Sequence, residues 1–586
     1  MIGLFGTWDY VVLLLVLLIS SGIGVYYRFT GGKQKTVQEY LLADKNMPVM
    51  PVAFSLMASF MSSITLLGVS SENYTFGLQF IVINISYGIF TPIAAYLYLP
   101  VFFRLQATSA YEYLEKRFGN ACRLAASLVY TTQMVLYMGV ALYAPAIALE
   151  AVTGISQLAA ILSVGIVCTF YSTIGGMKAV LMTDVFQSLL MFAAVFSIII
   201  CASMDVGIDG IWELATQGRR TELLNFSIDP TERHSWFTLI IGGGVTFLSL
   251  YAVNQTQVQR YLTVKSLKSA QTALWLNWPI LTLLSLSTSF AGLAIYSKYH
   301  DCDPVCAKQI TNRDQLMPYY VIDTMGHIPG LAGLFVAGIF SAALSSISAS
   351  LNSLAAVTIE DYYKPLYKKI WKTDLPDKAI NIRTKFIALS YGIVSIAVAF
   401  MAQFLGGVLQ ASLTIFGVIG GPLLGLFSLG MFTTTANQKG ALTGLISGIS
   451  IALWMAYGEP KPKDKILPMT VMGCPDYLNA TATCMPEYQD DGEYFWLYRV
   501  SYLYRGVMGL IVTCVVGYLS SYIVNQICGA QDPATMDPNL FIPPLARKLE
   551  KQYDKNLKMH ETKIATISKE EDNFNHRGQI VDFPDG

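Results

Sequence analysis

Charge is scarce in this sequence. Only 13% of its 586 residues are Asp, Glu, Lys or Arg, against roughly 25% in an ordinary soluble domain, while 53% are hydrophobic. Such a chain belongs in a lipid bilayer and is polytopic. Lys and Arg together number 39, as do Asp and Glu, for a formal net charge of zero. Bulk electrostatics therefore points to no nucleic acid and no acidic partner. No nucleotide-binding P-loop is present, which sets aside an ATP-driven pump. No span is rich in arginine, as a voltage sensor would be. The five histidines, His234, His300, His327, His560 and His576, fall in loops or tail, and the nine cysteines lack metal-type pair spacing. With no nucleophile–base pair either, neither an enzyme nor a cofactor is expected.

What the chain has is apolar runs of about 20 residues, the length a bilayer requires. Thirteen are expected, near 7–27, 49–70, 76–103, 123–149, 156–175, 183–204, 236–257, 271–296, 331–358, 384–404, 408–432, 437–457 and 503–526. The first lacks a basic leader and a small-residue cleavage site, so it reads as a retained helix. Cys122, Cys168, Cys201 and Cys514 sit in or beside these runs and read as packing residues.

Basic residues set the orientation. The 28–48 loop holds Arg28, Lys33, Lys35 and Lys45; the 104–122 loop holds Arg104, Lys116 and Arg117. The 258–270 loop holds Arg260, Lys265 and Lys268, and the 359–383 loop has six such residues, from Lys364 to Arg383. Thirteen spans put all four loops in the cytoplasm, with the N-terminus outside and the C-terminus inside. The sequons at Asn225 and Asn479 then lie outside, where glycans are added, as do Cys302, Cys306, Cys474 and Cys484, which are free to form disulfides. Asn84-Ile-Ser and Asn254-Gln-Thr fall inside spans and read as chance sequons. The tail from about 527 is polar and charge-mixed, a cytoplasmic segment expected to be partly disordered.

Two spans carry unusual polarity. PVAFSLMASFMSSITLLG, residues 51–68, has Ser59, Ser62, Ser63 and Thr65 in its middle. In 338–358, Ser341, Ser345, Ser348 and Asn352 form one helical stripe and Ser346, Ser350 and Ser353 its neighbour. Small hydroxyl residues serve close helix packing, but they also suit a desolvated monovalent cation. Irregular polar helix is tolerated in a membrane only beside protein or a water-lined cavity, so the pair reads as a transport site. Five spans after the first interrupted helix, span 7 carries Gly242, Gly243 and Gly244. Two interrupted helices in corresponding positions point to inverted five-helix halves. Asp184, opening span 6, is the one carboxylate near a membrane interior and a candidate for the ion pathway.

The stretches SLMASFMSSITLLG (55–68), GGMKAVLMTDVFQ (175–187), SLYAVNQTQVQRYL (249–262) and FSAALSSISASLNSLAAVTIED (340–361) resemble the sodium/solute symporter family. The third stretch and residues 117–149 are most similar to its monocarboxylate, iodide and multivitamin branch. The resemblance implies an all-α membrane protein with the leucine-transporter fold: repeats at 49–204 and 236–432, an N-terminal extra helix and loop at 1–48, an extracellular loop at 205–235, two further helices at 433–526 and a tail at 527–586. It also implies sodium as the coupling ion, held by the carbonyls of Ala58, Met61 and Ala342 and the hydroxyls of Ser345 and Ser346. The substrate site falls on Ser62, Thr65, Ser249 and Tyr251. Thr65 stands where sugar carriers place a glutamine, and Ser249 and Leu250 stand where those carriers have an aromatic pair, which argues against sugar. The reading is a plasma-membrane symporter coupling inward sodium flow to uptake of a small organic anion by alternating access. Carriers of iodide or a neutral solute, and a substrate-gated channel or sensor on the same scaffold, are the alternatives.

Overall fold

The computed structural model describes residues 5–29, 41–174, 176–404, 406–462, 464–474, 494–529 and 533–551. Helices make up every regular element among them, and no β-strand occurs. The chain opens with α1 (Thr7–Phe29). A broken span follows, α2 (Val49–Ala58) and α3 (Ser63–Phe76), whose axes are bent by 58°. Next come α4 (Leu78–Leu105), α5 (Asn120–Thr153), α6 (Gln157–Ile174) and α7 (Met177–Gln217). A second broken span, α8 (Thr238–Tyr251) and α9 (Gln255–Tyr261), is bent by 60°. It is followed by α10 (Leu267–Tyr299), α11 (Leu331–Trp371), α12 (Asp377–Ala402) and α13 (Val408–Phe432). The pair α14 (Gln438–Tyr457) and α15 (Tyr504–Cys528) closes the chain.

Ten of these helices are long and apolar enough to cross a membrane, or twelve if each bent pair is one span. The one remaining expected span corresponds to α6, a shorter apolar helix over Gln157–Phe170. The loop expected at 359–383 is also mostly helical: α11 continues through a π-helical turn, Thr358–Tyr363, and α12 starts at Asp377.

Each break has a chemical cause. Ser62 restarts the first, its Oγ accepting the Ile64 amide at 3.2 Å as the N-cap of α3. Asn254 restarts the second in the same way, its side-chain oxygen accepting the Thr256 amide at 2.9 Å. The sequence pattern put that second break at Gly242–Gly244, and the structure moves it ten residues on. The glycines stay helical, and a Cβ on them would meet Leu503, Ile83 and Phe90 at 2.7, 2.7 and 2.2 Å. They are there for close packing, and the Asn254 triplet is a helix cap.

Burial separates the centre of the bundle from its rim. The apolar windows of α11 and α13 are each 89% buried, against 17% for α1 and 22% for α15. Leu14, Leu15 and Leu18 on α1 and Val515, Leu519 and Ile523 on α15 stand exposed, an apolar surface matched to lipid tails. At one end of the bundle, here called the Asn225 end, a disulfide joins Cys302 to Cys474. Cys306 is disulfide-bonded too, while Cys484 and Asn479 lie outside the described residues. At the opposite end Arg123 donates to Asp361 at 2.5 and 2.8 Å and also bonds Glu115.

Candidate ion and substrate sites

The last carbonyls of a helix have no partner within it, so their fate at the end of α2 is a matter of accounting. The Ser55 carbonyl receives the amide and hydroxyl of Ser59. That of Leu56 receives Gln257 Nε2 at 3.0 Å and the Tyr251 hydroxyl at 3.4 Å, both from the second broken span. That of Met57 receives the amides of Phe60 and Met61. The Ala58 carbonyl receives, among the described residues, only the Ser346 hydroxyl at 3.3 Å. The structure thus brings Ala58 and Ser346 together, with Met61 in the break and Ala342 and Ser345 buried on α11.

Ser345 donates its proton to Asp184 Oδ1 at 2.6 Å, which leaves the lone pairs of its oxygen for another partner. Asp184 is wholly buried, not at a water-facing helix end. Its second oxygen accepts from Ser55 and from Arg260 at 3.3 Å, and Arg260 also donates to Ser55 at 2.7 Å. Arg260, counted from sequence as a loop cation, is fully buried on α9 and drops out of the orientation count. A sequence pattern of loop charges cannot separate it from Lys265 and Lys268. Its buried partner alone sets it apart.

The other half of the break serves a different cavity, of about 80 Å³. Ser62, Thr65 and Tyr251 line it, with Phe60, Phe247 and Phe416 as aromatic walls and further hydroxyls on Thr246, Ser285 and Ser412. Among the described residues, no charged side chain lines it. Tyr251 stacks on Phe247 with centroids 4.6 Å apart. Ser249 is not brought to this cavity: its hydroxyl bonds the Thr246 carbonyl at 2.8 Å and it lines a separate void with Gln133 and Gly420. One residue escaped the sequence reading. Tyr137 of α5 packs on Phe416 at 4.8 Å and has a buried hydroxyl with no hydrogen bond of good geometry, facing those of Ser62 and Ser346. An aromatic in a long apolar helix gives no sequence signal of such a role.

Nearer the Asn225 end, Arg233 bonds Glu72 at 2.8 Å and Asp464 at 2.9 Å and lies over the Phe76 ring at 4.0 Å. His234 lies against Glu72 and Tyr502, and burial, with Arg233 beside it, holds it well below the usual imidazole range, hence neutral. Asp314 accepts the Val408 amide at 2.9 Å, and burial pushes its carboxyl up to about 6. Asn225 itself is half-buried, its amide donating to the His234 carbonyl at 3.1 Å.

Residues 40–448 match the model of the sodium:solute symporter family. The chain is 54% identical over 563 residues, 93% of each protein, to a Drosophila melanogaster protein named "Putative sodium-dependent multivitamin transporter". It is 43% identical over 544 residues to sodium-coupled monocarboxylate transporter 1 of Homo sapiens, covering 89% of this chain and 88% of that one. Among solved structures, a sodium-coupled sialic acid symporter in a substrate-bound outward-open state aligns with a TM-score of 0.72 at 26% identity, covering 89% of this chain and 98% of that one.

Proposed function

The chain belongs to the sodium:solute symporter family, and from that premise we propose that it imports a small organic anion, a monocarboxylate or a carboxylate-bearing vitamin, across the plasma membrane. That it is a sodium-coupled membrane symporter and no enzyme follows from the family and its relatives. The anion is our reading, and one observation carries it. The break between α2 and α3 sets the carbonyl end of one helix beside the amide end of another. The first end favours a cation and the second an anion, each end bearing about half an elementary charge. Sodium at Ala58, Met61, Ala342, Ser345 and Ser346 then sits one helix break away from a carboxylate at Ser62 and Thr65. Among the described residues the cavity has no positive side chain, so in this reading the ion itself is the counter-charge, and anion binding requires sodium. The names of the relatives, monocarboxylate and multivitamin transporters, share the carboxylate that this site favours.

Asp184 and Arg260 place no net charge beside the ion. In our reading Asp184 orients Ser345, and Tyr137 spans the two sites. The halves at 49–204 and 236–432 rock about them, alternately exposing the cavity to each side. We place the Asn225 end outside and the C-terminus in the cytoplasm, since Lys364, Lys368, Lys369 and Lys372 cluster at the Asp361 end. Uptake of radiolabelled lactate, pantothenate, biotin, iodide and choline into cells expressing the protein, in sodium or N-methylglucamine medium, tests the reading. Sodium-dependent uptake of one of the three carboxylates is expected. Uptake of iodide or choline alone would overturn it.

A further inference from the structure

A second cavity, of about 360 Å³, opens at the Asn225 end. It is more than four times the size of the central one, and its wall is positive. Its lining includes six cations, Arg219, Arg233, Lys461, Lys465, Arg499 and Arg505, against three carboxylates, Glu222, Glu232 and Asp464. Arg219 pairs with Glu222 at 3.0 Å, and Arg233 pairs with Asp464. Lys461, Arg499 and Arg505 have no carboxylate within 4 Å among the described residues, and Lys461 donates to the Ala456 carbonyl.

Two lining side chains are both deeply buried and unsatisfied. Arg505, 7% exposed, donates one nitrogen to Thr414 at 2.7 Å, while its Nε has no partner among the described residues. Gln79, 6% exposed, leaves both amide atoms unbonded. Burying such groups without partners is unfavourable and calls for a ligand with matching acceptors. Burial and the neighbouring Arg505 guanidinium push the Lys461 ammonium down, with Glu459 acting against them.

We propose that this cavity is a second, sodium-independent binding site for a small carboxylate, which the anion occupies before it reaches the central site. The inference rests on the anionic-substrate reading above. A planar carboxylate suits the fork of a guanidinium beside an ammonium and an amide donor. The position suits a way-station. The cavity shares Phe76, Arg233 and Gln410 with an adjoining one that extends to Gly68 and Leu409, and Leu409 also lines the central cavity. The two sites divide the work. The outer one has fixed cations and holds the anion without sodium, whereas the inner one has none and requires the ion.

The test is isothermal titration of the purified full-length protein with lactate in sodium-free Tris–HEPES buffer and again with sodium. In the absence of sodium one lactate per chain should bind, and K461Q and Q79M should each weaken it at least fivefold. S345A/S346A should leave that binding unchanged and remove a second, sodium-dependent lactate site, which K461Q retains as its folding control. No sodium-free binding by the wild type overturns the proposal, as does sodium-free binding indifferent to both K461Q and Q79M. Equal competition by inorganic phosphate overturns the carboxylate assignment. Sodium-free binding together with no sodium-dependent uptake of any carboxylate would refute the substrate reading while leaving the outer site standing.

Discussion

Ser345 and Ser346 sit side by side yet spend their protons differently, one on the Asp184 carboxylate and the other on the Ala58 carbonyl. Both leave oxygen lone pairs available to a cation. A hydrogen bond or ligand contact to a charged group is worth roughly 1.5–3 kcal/mol. S345A and S346A should therefore each lower apparent sodium affinity at least about tenfold, read from sodium titration of uptake at matched surface expression. Unaltered sodium dependence in the double variant would remove the ion from this place. The Asp184–Arg260 pair makes a separate prediction. Breaking a buried pair by removing one partner costs about 3–5 kcal/mol, whereas replacing both is often close to neutral. D184N should lower the unfolding temperature in detergent, and D184N/R260M should recover most of the loss. A double variant as unstable as the sum of its singles would mean that the two side chains do not act on one another.

The broken helices are the elements on which everything else turns, and they were unequally legible. Ser59, Ser62, Ser63 and Thr65 marked the first broken span, although the serines of α11 accompany an unbroken helix, so hydroxyls alone do not place a break. The second was misplaced to Gly242–Gly244, since glycine signals both a weak helix and a tight contact and only the packing of Leu503, Ile83 and Phe90 decides between them. Asn254 carried the true signal, but an Asn-X-Thr triplet is also a sequon. Asp184 was visible, whereas its partner Arg260 was concealed among loop cations. Tertiary pairing, which no local pattern encodes, made that difference. Close approach also governs α3 and α13: a Cβ on Gly68 would stand 2.6 Å from Leu409 Cβ. Overpacking of this kind costs typically about 1–3 kcal/mol. G68A should slow uptake and lower stability, and L409G on the same chain, which removes the Cβ that the new methyl would meet, should restore part of both. At the head of α13, Asp314 makes a pH prediction. Its carboxyl titrates at about 6 in the folded chain, above the ordinary 3.8. Between those values the folded chain keeps a proton that the unfolded chain has released, so stability falls as pH rises through that window. D314N should remove this part of the slope in unfolding temperature against pH, and an unchanged slope would exclude Asp314 as its source.

For the whole molecule, the proposed import of an anion bounds the number of ions it needs. One charge crossing the membrane is worth about 2.3 kcal/mol per 100 mV, so roughly 1.4 kcal/mol at ~60 mV. A tenfold sodium gradient adds about 1.4 kcal/mol per ion. One sodium thus supplies roughly 2.8 kcal/mol, of which about 1.4 is spent bringing a monovalent anion in against the potential. The remainder concentrates the anion only about tenfold, while a second sodium raises the limit to roughly a thousandfold. At least two sodium ions per anion are expected, with an inward current when substrate is added. Voltage-insensitive uptake with a sodium Hill coefficient near one would establish one-to-one coupling instead.

The link between Cys302 and Cys474 has a consequence for how the protein is made. The two residues are 172 positions apart, with α11 to α14 between them. At synthesis rates of about 5–20 residues per second, Cys302 waits roughly 10–30 s for its partner to emerge. Throughout that interval Cys306, four residues away, is the nearer thiol. The strap that Cys474 belongs to bonds the early part of the chain as well, the Leu467 amide to the Thr75 carbonyl and Arg220 to the Pro468 carbonyl. The cap over the Asn225 end is therefore laid down late, and a chain cut short before residue 474 leaves the ribosome with α1 to α14 made, α15 missing and the Asn225 end unsealed.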